Sequence, residues 1–104
     1  MERLCFFIHL KTGQEQEYER RHDEIWPDMA QAVSAAGYTN YTLFRKDLLV
    51  VGYAECVPDV ATVFALMGEA EVGARWTESF ADIIDTMTGP DGAVLRADEV
   101  WHLR

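Results

Sequence analysis

Apolar residues recur with two different periods along this chain, and the order of those periods restricts the fold more than any other feature. A period of two residues, typical of strands, is found at residues 3–10, 38–44, 48–56 and 98–103. Helical spacing is found at residues 14–36 and 58–67, and after Gly68 through Val72, Trp76, Phe80, Ile83 and Met87. This βαββαβ order predicts an α+β fold, the split arrangement of a ferredoxin-like sandwich.

The first strand is apolar on both of its faces. Leu4, Phe6, Ile8 and Leu10 alternate with Cys5, Phe7 and His9, and the strand at residues 48–56 is apolar on both faces as well. Because the helices of such a domain cover only one face of the sheet, the second face needs another cover. A second copy of the chain is the simplest one. We therefore expect a two-fold symmetric homodimer in which two sheets meet face to face as a dimeric α/β barrel.

Length and composition indicate one packed domain that spans residues 1–104. The chain is 49% hydrophobic, and its 18 acidic residues against 9 Lys and Arg leave a formal net charge of -9. A chain this acidic offers no basic patch for nucleic acid or for an anionic membrane. No apolar stretch approaches the roughly 20 residues of a membrane helix, and no signal peptide is recognisable, so we expect a cytoplasmic protein. Cys5 and Cys56 lie in apolar strands and are expected to be buried thiols.

Trp26-Pro27 interrupts the first helical region. Pro27 has no amide hydrogen and disfavours helical geometry at Trp26, so the helix should break here, with Pro27 opening a second segment. Gly37 is a suitable residue to end that second segment.

Tyr18 and His22 are four residues apart and therefore lie one turn apart on one helix face. Further along, the same face carries Ile25, Met29, Val33 and Ala36. The pair thus faces inward, where a histidine can exchange a proton near neutral pH and a phenol can orient a polar ligand. A lone histidine on an apolar helix face is more often a structural residue, so the spacing alone leaves both interpretations open.

Spacing patterns point to no cofactor and no metal. The Cys and His residues lack the paired spacing of a zinc site, no glycine-rich loop opens a helix, and Ser34 and Ser79 have no adjacent base. Trp76 on its helix stripe and Tyr41 on its strand are more often core residues than ligand contacts. Residue patterns alone thus indicate an α+β dimer with a His-Tyr pocket, and they indicate no reaction.

One long motif resembles a known family. The run Glu-Tyr-Glu-Arg-Arg-His-Asp-Glu-Ile-Trp-Pro-Asp at residues 17–28 is similar to the signature of the L-rhamnose mutarotase family. The resemblance extends to residues 37–41, to Arg75-Trp76, to the Gly-Pro-Asp-Gly turn at residues 89–92, and to the ending Glu-Val-Trp-His-Leu. It covers nearly the whole chain.

The resemblance implies a dimeric ferredoxin-like enzyme that interconverts the α and β anomers of L-rhamnose, or of a similar deoxy sugar, without a cofactor. It implies that His22 is the proton donor, that Tyr18 and Tyr41 bind the sugar, and that Trp76 forms a stacking wall. Thr77 stands where the family motif often has a second Trp, which changes the shape of the pocket. The alternatives are a cofactor-free monooxygenase or lactone isomerase on the same dimeric barrel, and a non-catalytic sugar-binding module.

Overall fold

The protein has four helices and five strands. The computed structural model describes all residues, 1–104. In chain order the elements are β1 (Glu2–Leu10), α1 (Glu15–Asp23), α2 (Pro27–Ala36), β2 (Tyr38–Lys46), β3 (Leu49–Cys56), α3 (Val60–Glu69), α4 (Glu71–Ser79), β4 (Ile84–Thr86) and β5 (Arg96–Ala97). The expected α+β class is confirmed.

The strands form one antiparallel sheet. Its order is β2-β3-β1-β4, and β5 also pairs with β1. Since β3 occupies one edge of β1 over residues 2–9, the two short strands β4 and β5 share the other edge. Together they take the place of a fourth strand, which is consistent with a ferredoxin-like arrangement.

The core lies between one face of this sheet and the helices. Burial alternates along β1 and β3, as a sheet covered on one side requires. The buried core cluster consists of Leu4, Phe6, Ile8, Leu10, Tyr18, Ala36, Val50, Ala54, Cys56, Val60, Val63, Phe80 and Ile83. Cys56 is a buried free thiol as expected, whereas Cys5 on the opposite face is only half-buried.

The fourth strand was predicted in the wrong place. Residues 98–103 form no strand, and Trp101 near the end of the chain is 75% exposed. The helix expected to continue to Met87 ends at Ser79, and the chain then turns and forms β4. Ile83 is completely buried in that turn. The helical spacing of Phe80, Ile83 and Met87 therefore comes from residues that pack inward from a turn and from just after β4, and it does not indicate a helix.

The predicted break in the first helical region is confirmed. Trp26 is extended, with φ -60° and ψ 133°, and Pro27 opens α2. Ile25 was expected on the inner stripe but is 36% exposed, because α1 has already ended at Asp23.

Gly37 ends α2 in the left-handed conformation, with φ 111°. A Cβ atom at this position would lie 2.2 Å from the backbone oxygen of Val57, so only glycine fits.

None of the helices has the length and apolar character needed to cross a bilayer.

Candidate active site

A cavity of about 650 Å³ lies between the inner face of the sheet and the helices. Sixteen of its 21 lining residues are hydrophobic, so the few polar groups decide what it can bind. The lining side chains that carry a nitrogen or oxygen atom are Tyr18, His22, Tyr38, Tyr41, Trp76, Thr77 and Glu78. No three His, Cys, Asp or Glu side chains cluster closely enough to hold a metal ion.

The orientation of His22 is set by its own helix. Its Nδ1 atom lies 2.9 Å from the backbone oxygen of Tyr18, one turn earlier in α1. A carbonyl oxygen can only accept a hydrogen bond, so Nδ1 carries the hydrogen and donates it. The other ring nitrogen, Nε2, makes no hydrogen bond within the protein and is free for a ligand.

Aromatic side chains surround His22. The Tyr18 ring centroid lies 4.4 Å away, Phe80 lies at 5.3 Å and Trp76 at 5.4 Å. Burial among them lowers the pKa of His22, and the hydrogen bond to Tyr18 and the charge of Asp23 only partly oppose this shift. The neutral imidazole, with its lone pair on Nε2, is thus the resting form at neutral pH.

A β-bulge in β2 shapes the opposite wall of the cavity. Thr39 pairs with Glu55 and Thr42 pairs with Tyr53, so Asn40 and the residue after it, Tyr41, lie opposite a single residue of β3. Asn40 adopts the left-handed conformation, with φ 47°, which asparagine tolerates better than most residues.

The extra residue shifts the alternation of side chains. Residues three apart on a regular strand face opposite sides, but here both Tyr38 and Tyr41 line the cavity. Their ring centroids are 5.1 Å apart, and Tyr41 also contacts Phe6 edge-on at 6.0 Å.

Three phenol hydroxyls face this space without a protein partner. Those of Tyr18, Tyr38 and Tyr41 make no hydrogen bond in the protein, and no polar side-chain atom is both sealed from solvent and unpaired. The hydroxyls are therefore open to a ligand. Tyr18 is only 4% exposed, whereas Tyr41 is 42% exposed. Burial raises the pKa of all three phenols, so they remain protonated and can donate hydrogen bonds.

Trp76 closes the cavity on the side of His22. Its ring packs against Trp26 at 5.1 Å and against Phe80 at 4.7 Å, which fixes the indole as a wall. Thr77, the next residue on α4, is exposed and also lines the cavity. An aromatic face beside proton-exchanging and donating groups suits a small polyol with an apolar side.

A sequence profile described as L-rhamnose mutarotase matches residues 3–103. The chain belongs to the L-rhamnose mutarotase family. It is 39% identical over 105 residues to an L-rhamnose mutarotase of Burkholderia cenocepacia (strain HI2424), with 99% of each chain covered. An L-rhamnose mutarotase of Listeria monocytogenes (strain EGD-e) is 28% identical over 103 residues, again with 99% coverage of both.

The fold agrees with the family. The crystal structure of an L-rhamnose mutarotase from Formosa agariphila superposes on this chain with a TM-score of 0.80 at 26% identity, and 100% of each chain is covered. Within this L-rhamnose mutarotase family member, the four residues singled out in the sequence, Tyr18, His22, Tyr41 and Trp76, all line the same cavity.

Tyr38 is a cavity residue that the sequence pattern missed. Regular alternation places it on the face opposite to Tyr41, and only the bulge reverses this. Asn40, a residue that tolerates the left-handed conformation, is the sequence signal that could have indicated the bulge.

Arg21 lies outside the cavity and links two of the segments that form it. Beyond its pair with Glu17 at 2.9 Å, Arg21 donates to the backbone oxygen of Ser79 at 2.6 Å and to Asp82 at 3.3 Å. Its guanidinium also lies 5.6 Å from the ring centroid of Phe80. The i,i+4 spacing of Glu17 and Arg21 accounts only for the first of these contacts. The structure adds a link between α1, which carries His22, and the end of α4, which carries Trp76.

Proposed function

We propose that this protein interconverts the α and β anomers of L-rhamnose, or of a closely similar deoxy sugar, by opening and reclosing the pyranose ring. The observation that carries the proposal is that the Nε2 atom of His22 has no partner in the protein, while the Nδ1 hydrogen bond fixes the imidazole ring. This ring lies in a cavity with an aromatic wall. Family membership supports this activity over the oxygenase, lactone isomerase and binding-module alternatives.

Ring opening requires one proton to leave the anomeric hydroxyl and one to reach the ring oxygen. Both oxygens are bonded to the same carbon, so a single nitrogen can serve both. Neutral His22 takes the hydroxyl proton on Nε2, which leaves an alkoxide at O1. The electron pair of this alkoxide then forms the C1–O1 carbonyl as the C1–O5 bond breaks, and the imidazolium donates its proton to the departing ring oxygen, which is the proton-donor role. After rotation about the C1–C2 bond, the reverse steps close the ring on the other carbonyl face.

The proposed contribution of His22 is general acid–base catalysis, typically worth about 10²- to 10⁴-fold in rate. A pKa lowered by burial suits this role, because the resting base is unprotonated and the imidazolium that it becomes is a stronger acid.

Tyr18, Tyr41 and Trp76 are proposed to bind the sugar. The unpartnered hydroxyls of Tyr18 and Tyr41 can donate to sugar oxygens, and the fixed indole of Trp76 offers a stacking surface. The largely apolar lining suits the methyl group of a deoxy sugar. Thr77, exposed beside Trp76, leaves this part of the cavity more open than a tryptophan would.

The direct test is NMR exchange at the anomeric proton with a catalytic amount of protein. L-Rhamnose, L-fucose, L-lyxose and D-glucose are compared for wild type, His22→Ala and His9→Ala. His9 is an exposed histidine outside the cavity and serves as the matched control. We expect accelerated exchange that is selective for L-rhamnose and lost only in His22→Ala. Acceleration of no sugar by the wild type would contradict the function, and full activity in a folded His22→Ala would remove His22 from it.

We also propose that two copies associate through the outer face of the sheet as a dimeric α/β barrel. Phe7, Val51 and Phe44 are direct neighbours across three strands on this face, and Phe44 is 60% exposed. Helices cover only the other face, so this apolar row lacks a cover within one chain. Sedimentation should give about twice the 11.8 kDa chain mass for wild type and for Glu19→Gln, and a monomer for Phe44→Asp. A monomeric wild type at micromolar concentration would contradict the dimer.

A further inference from the structure

Tyr38 and Tyr41 face the same cavity because of the β-bulge in β2. Tyr38 pairs with Cys56 on the covered side of the sheet, before the bulge, while Tyr41 lies within the bulge and faces the same side. The two rings are tilted against each other at 52°, with 5.1 Å between their centroids. On this side of the cavity, Tyr38 thus adds a phenol next to that of Tyr41.

Both neighbours of Tyr38 in the chain make contacts that fix the backbone at this position. The preceding residue, Gly37, packs against the backbone of Val57 too closely for any side chain. The following residue, Thr39, donates from its hydroxyl to the backbone oxygen of Glu55 at 2.8 Å. These contacts position the backbone of Tyr38, and the contact with the Tyr41 ring orients its phenol before a ligand arrives.

The Tyr38 hydroxyl is free to donate. It has no hydrogen-bond partner in the protein, yet it is not sealed from solvent. Burial raises its pKa to about 12, so it carries its hydrogen at any physiological pH. Its ring contacts Tyr41 and has no ring contact with His22. Since the rings packed around His22 are those of Tyr18, Trp76 and Phe80, we assign the Tyr38 hydroxyl to the side of the cavity that Tyr41 lines.

We propose that Tyr38 is a further substrate-binding residue, which donates a hydrogen bond to a sugar hydroxyl away from the anomeric carbon and so contributes to the choice of sugar. This inference rests on the proposed mutarotase function. A contact remote from the reacting atoms is made equally in the ground state and the transition state, so its loss raises KM and leaves kcat unchanged. A neutral hydrogen bond corresponds to a change of about three- to tenfold in KM.

The test compares wild type, Tyr38→Phe and Tyr53→Phe in mutarotation kinetics with L-rhamnose and its 2-, 3- and 4-deoxy analogues. Tyr53 lies outside the cavity, and its hydroxyl donates to Glu55 at 2.8 Å, so its variant is the matched control. For Tyr38→Phe we expect a KM for L-rhamnose raised about three- to tenfold with kcat unchanged. We also expect one deoxy analogue for which wild type and Tyr38→Phe have equal KM, since that analogue lacks the partner hydroxyl.

Two results would overturn the inference while leaving the mutarotase function intact. One is an unchanged KM for L-rhamnose in Tyr38→Phe. The other is an equal rise in KM for L-rhamnose and for all three deoxy analogues, which would indicate altered packing. A wild type that accelerates anomer exchange of no sugar would overturn the function and the Tyr38 inference together. Because Tyr38→Phe keeps the ring, a folded variant is expected, and circular dichroism checks this.

Discussion

His22 donates from Nδ1 to the backbone oxygen of Tyr18 over 2.9 Å, so a contact within a single helical turn decides which imidazole nitrogen faces the cavity. The same turn brings the two rings together, tilted by 40° and with 4.4 Å between their centroids. The backbone hydrogen bond and the aromatic burial act on different properties of the imidazole: the first selects the tautomer and the second lowers the pKa.

The rate of mutarotation should fall at acidic pH in a way that reports His22. Because burial lowers its pKa, the base form persists below the usual histidine range, and the midpoint of the acid limb should lie below that range. The unfolded chain binds this proton at higher pH than the folded one, so the same titration also lowers the free energy of unfolding as pH falls. A pH–rate profile measures the midpoint. His22→Asn should lose roughly 10²-fold or more in rate and should lack this limb, and an acid limb that persists in that variant would contradict the assignment.

Arg21→Ala should destabilise the protein more than Arg20→Ala does. Arg21 links α1 to the backbone of Ser79 and to Asp82, whereas Arg20 pairs only with Glu17 and Glu24 on the exposed side of its own helix. We expect a decrease in melting temperature on the order of 5 °C for Arg21→Ala and little change for Arg20→Ala, because exposed ion pairs stabilise weakly. Thermal unfolding followed by circular dichroism compares them, and equal melting temperatures would show that the link is not stabilising.

Gly37→Ala should cost about 2–4 kcal/mol in free energy of unfolding. The new Cβ would meet the Val57 carbonyl at 2.2 Å, and φ 111° is unfavourable for alanine. Gly68→Ala is the matched control: nothing lies within 4 Å of its Cβ position in α3, so a helix-favouring residue there should be neutral or stabilise by up to about 1 kcal/mol. Urea denaturation distinguishes the two variants, and a Gly37→Ala protein as stable as wild type would contradict the close approach.

Asn40→Val should weaken substrate binding although residue 40 does not line the cavity. A β-branched residue at φ 47° costs about 1–2 kcal/mol, and relaxing the bulge would move Tyr38 and Tyr41 relative to each other. Asn40→Gly loses the hydrogen bond to Glu55 but tolerates the same backbone angle, so its KM should stay close to that of wild type. Kinetics on both variants separate backbone geometry from the side-chain contact. A raised KM in both would indicate that the asparagine side chain matters more than the angle.

Strands β1 to β3 and the break at Trp26-Pro27 were predictable because each depends on neighbouring residues. Alternation within β1 and β3 matches their burial, and proline has the same effect on its neighbour in any fold. The pairing of Tyr18 with His22 was predictable for a similar reason, since an i,i+4 contact needs only the helix that carries both residues.

The edge of the sheet was not predictable in this way. β4 and β5 contain three and two residues, and what defines them is pairing with β1, some 75 to 90 positions earlier in the chain. Residues 98–103 alternate more regularly than either, yet they form no strand. Alternation shows that a segment could pair, while the available strand edge decides which segment does.

By itself, the sequence determined the α+β class, the interrupted helix, and the face that carries Tyr18 and His22, because periodicity and helical spacing are local properties. Only the tertiary structure decided which segments complete the sheet, that Arg21 joins α1 to the end of α4, and that Tyr38 shares the cavity with Tyr41. These features depend on register and packing between distant segments. A bulge of one extra residue reverses the face on which the following side chains lie. A bulge is defined by the pairing of two strands, so the sequence of β2 alone does not reveal it.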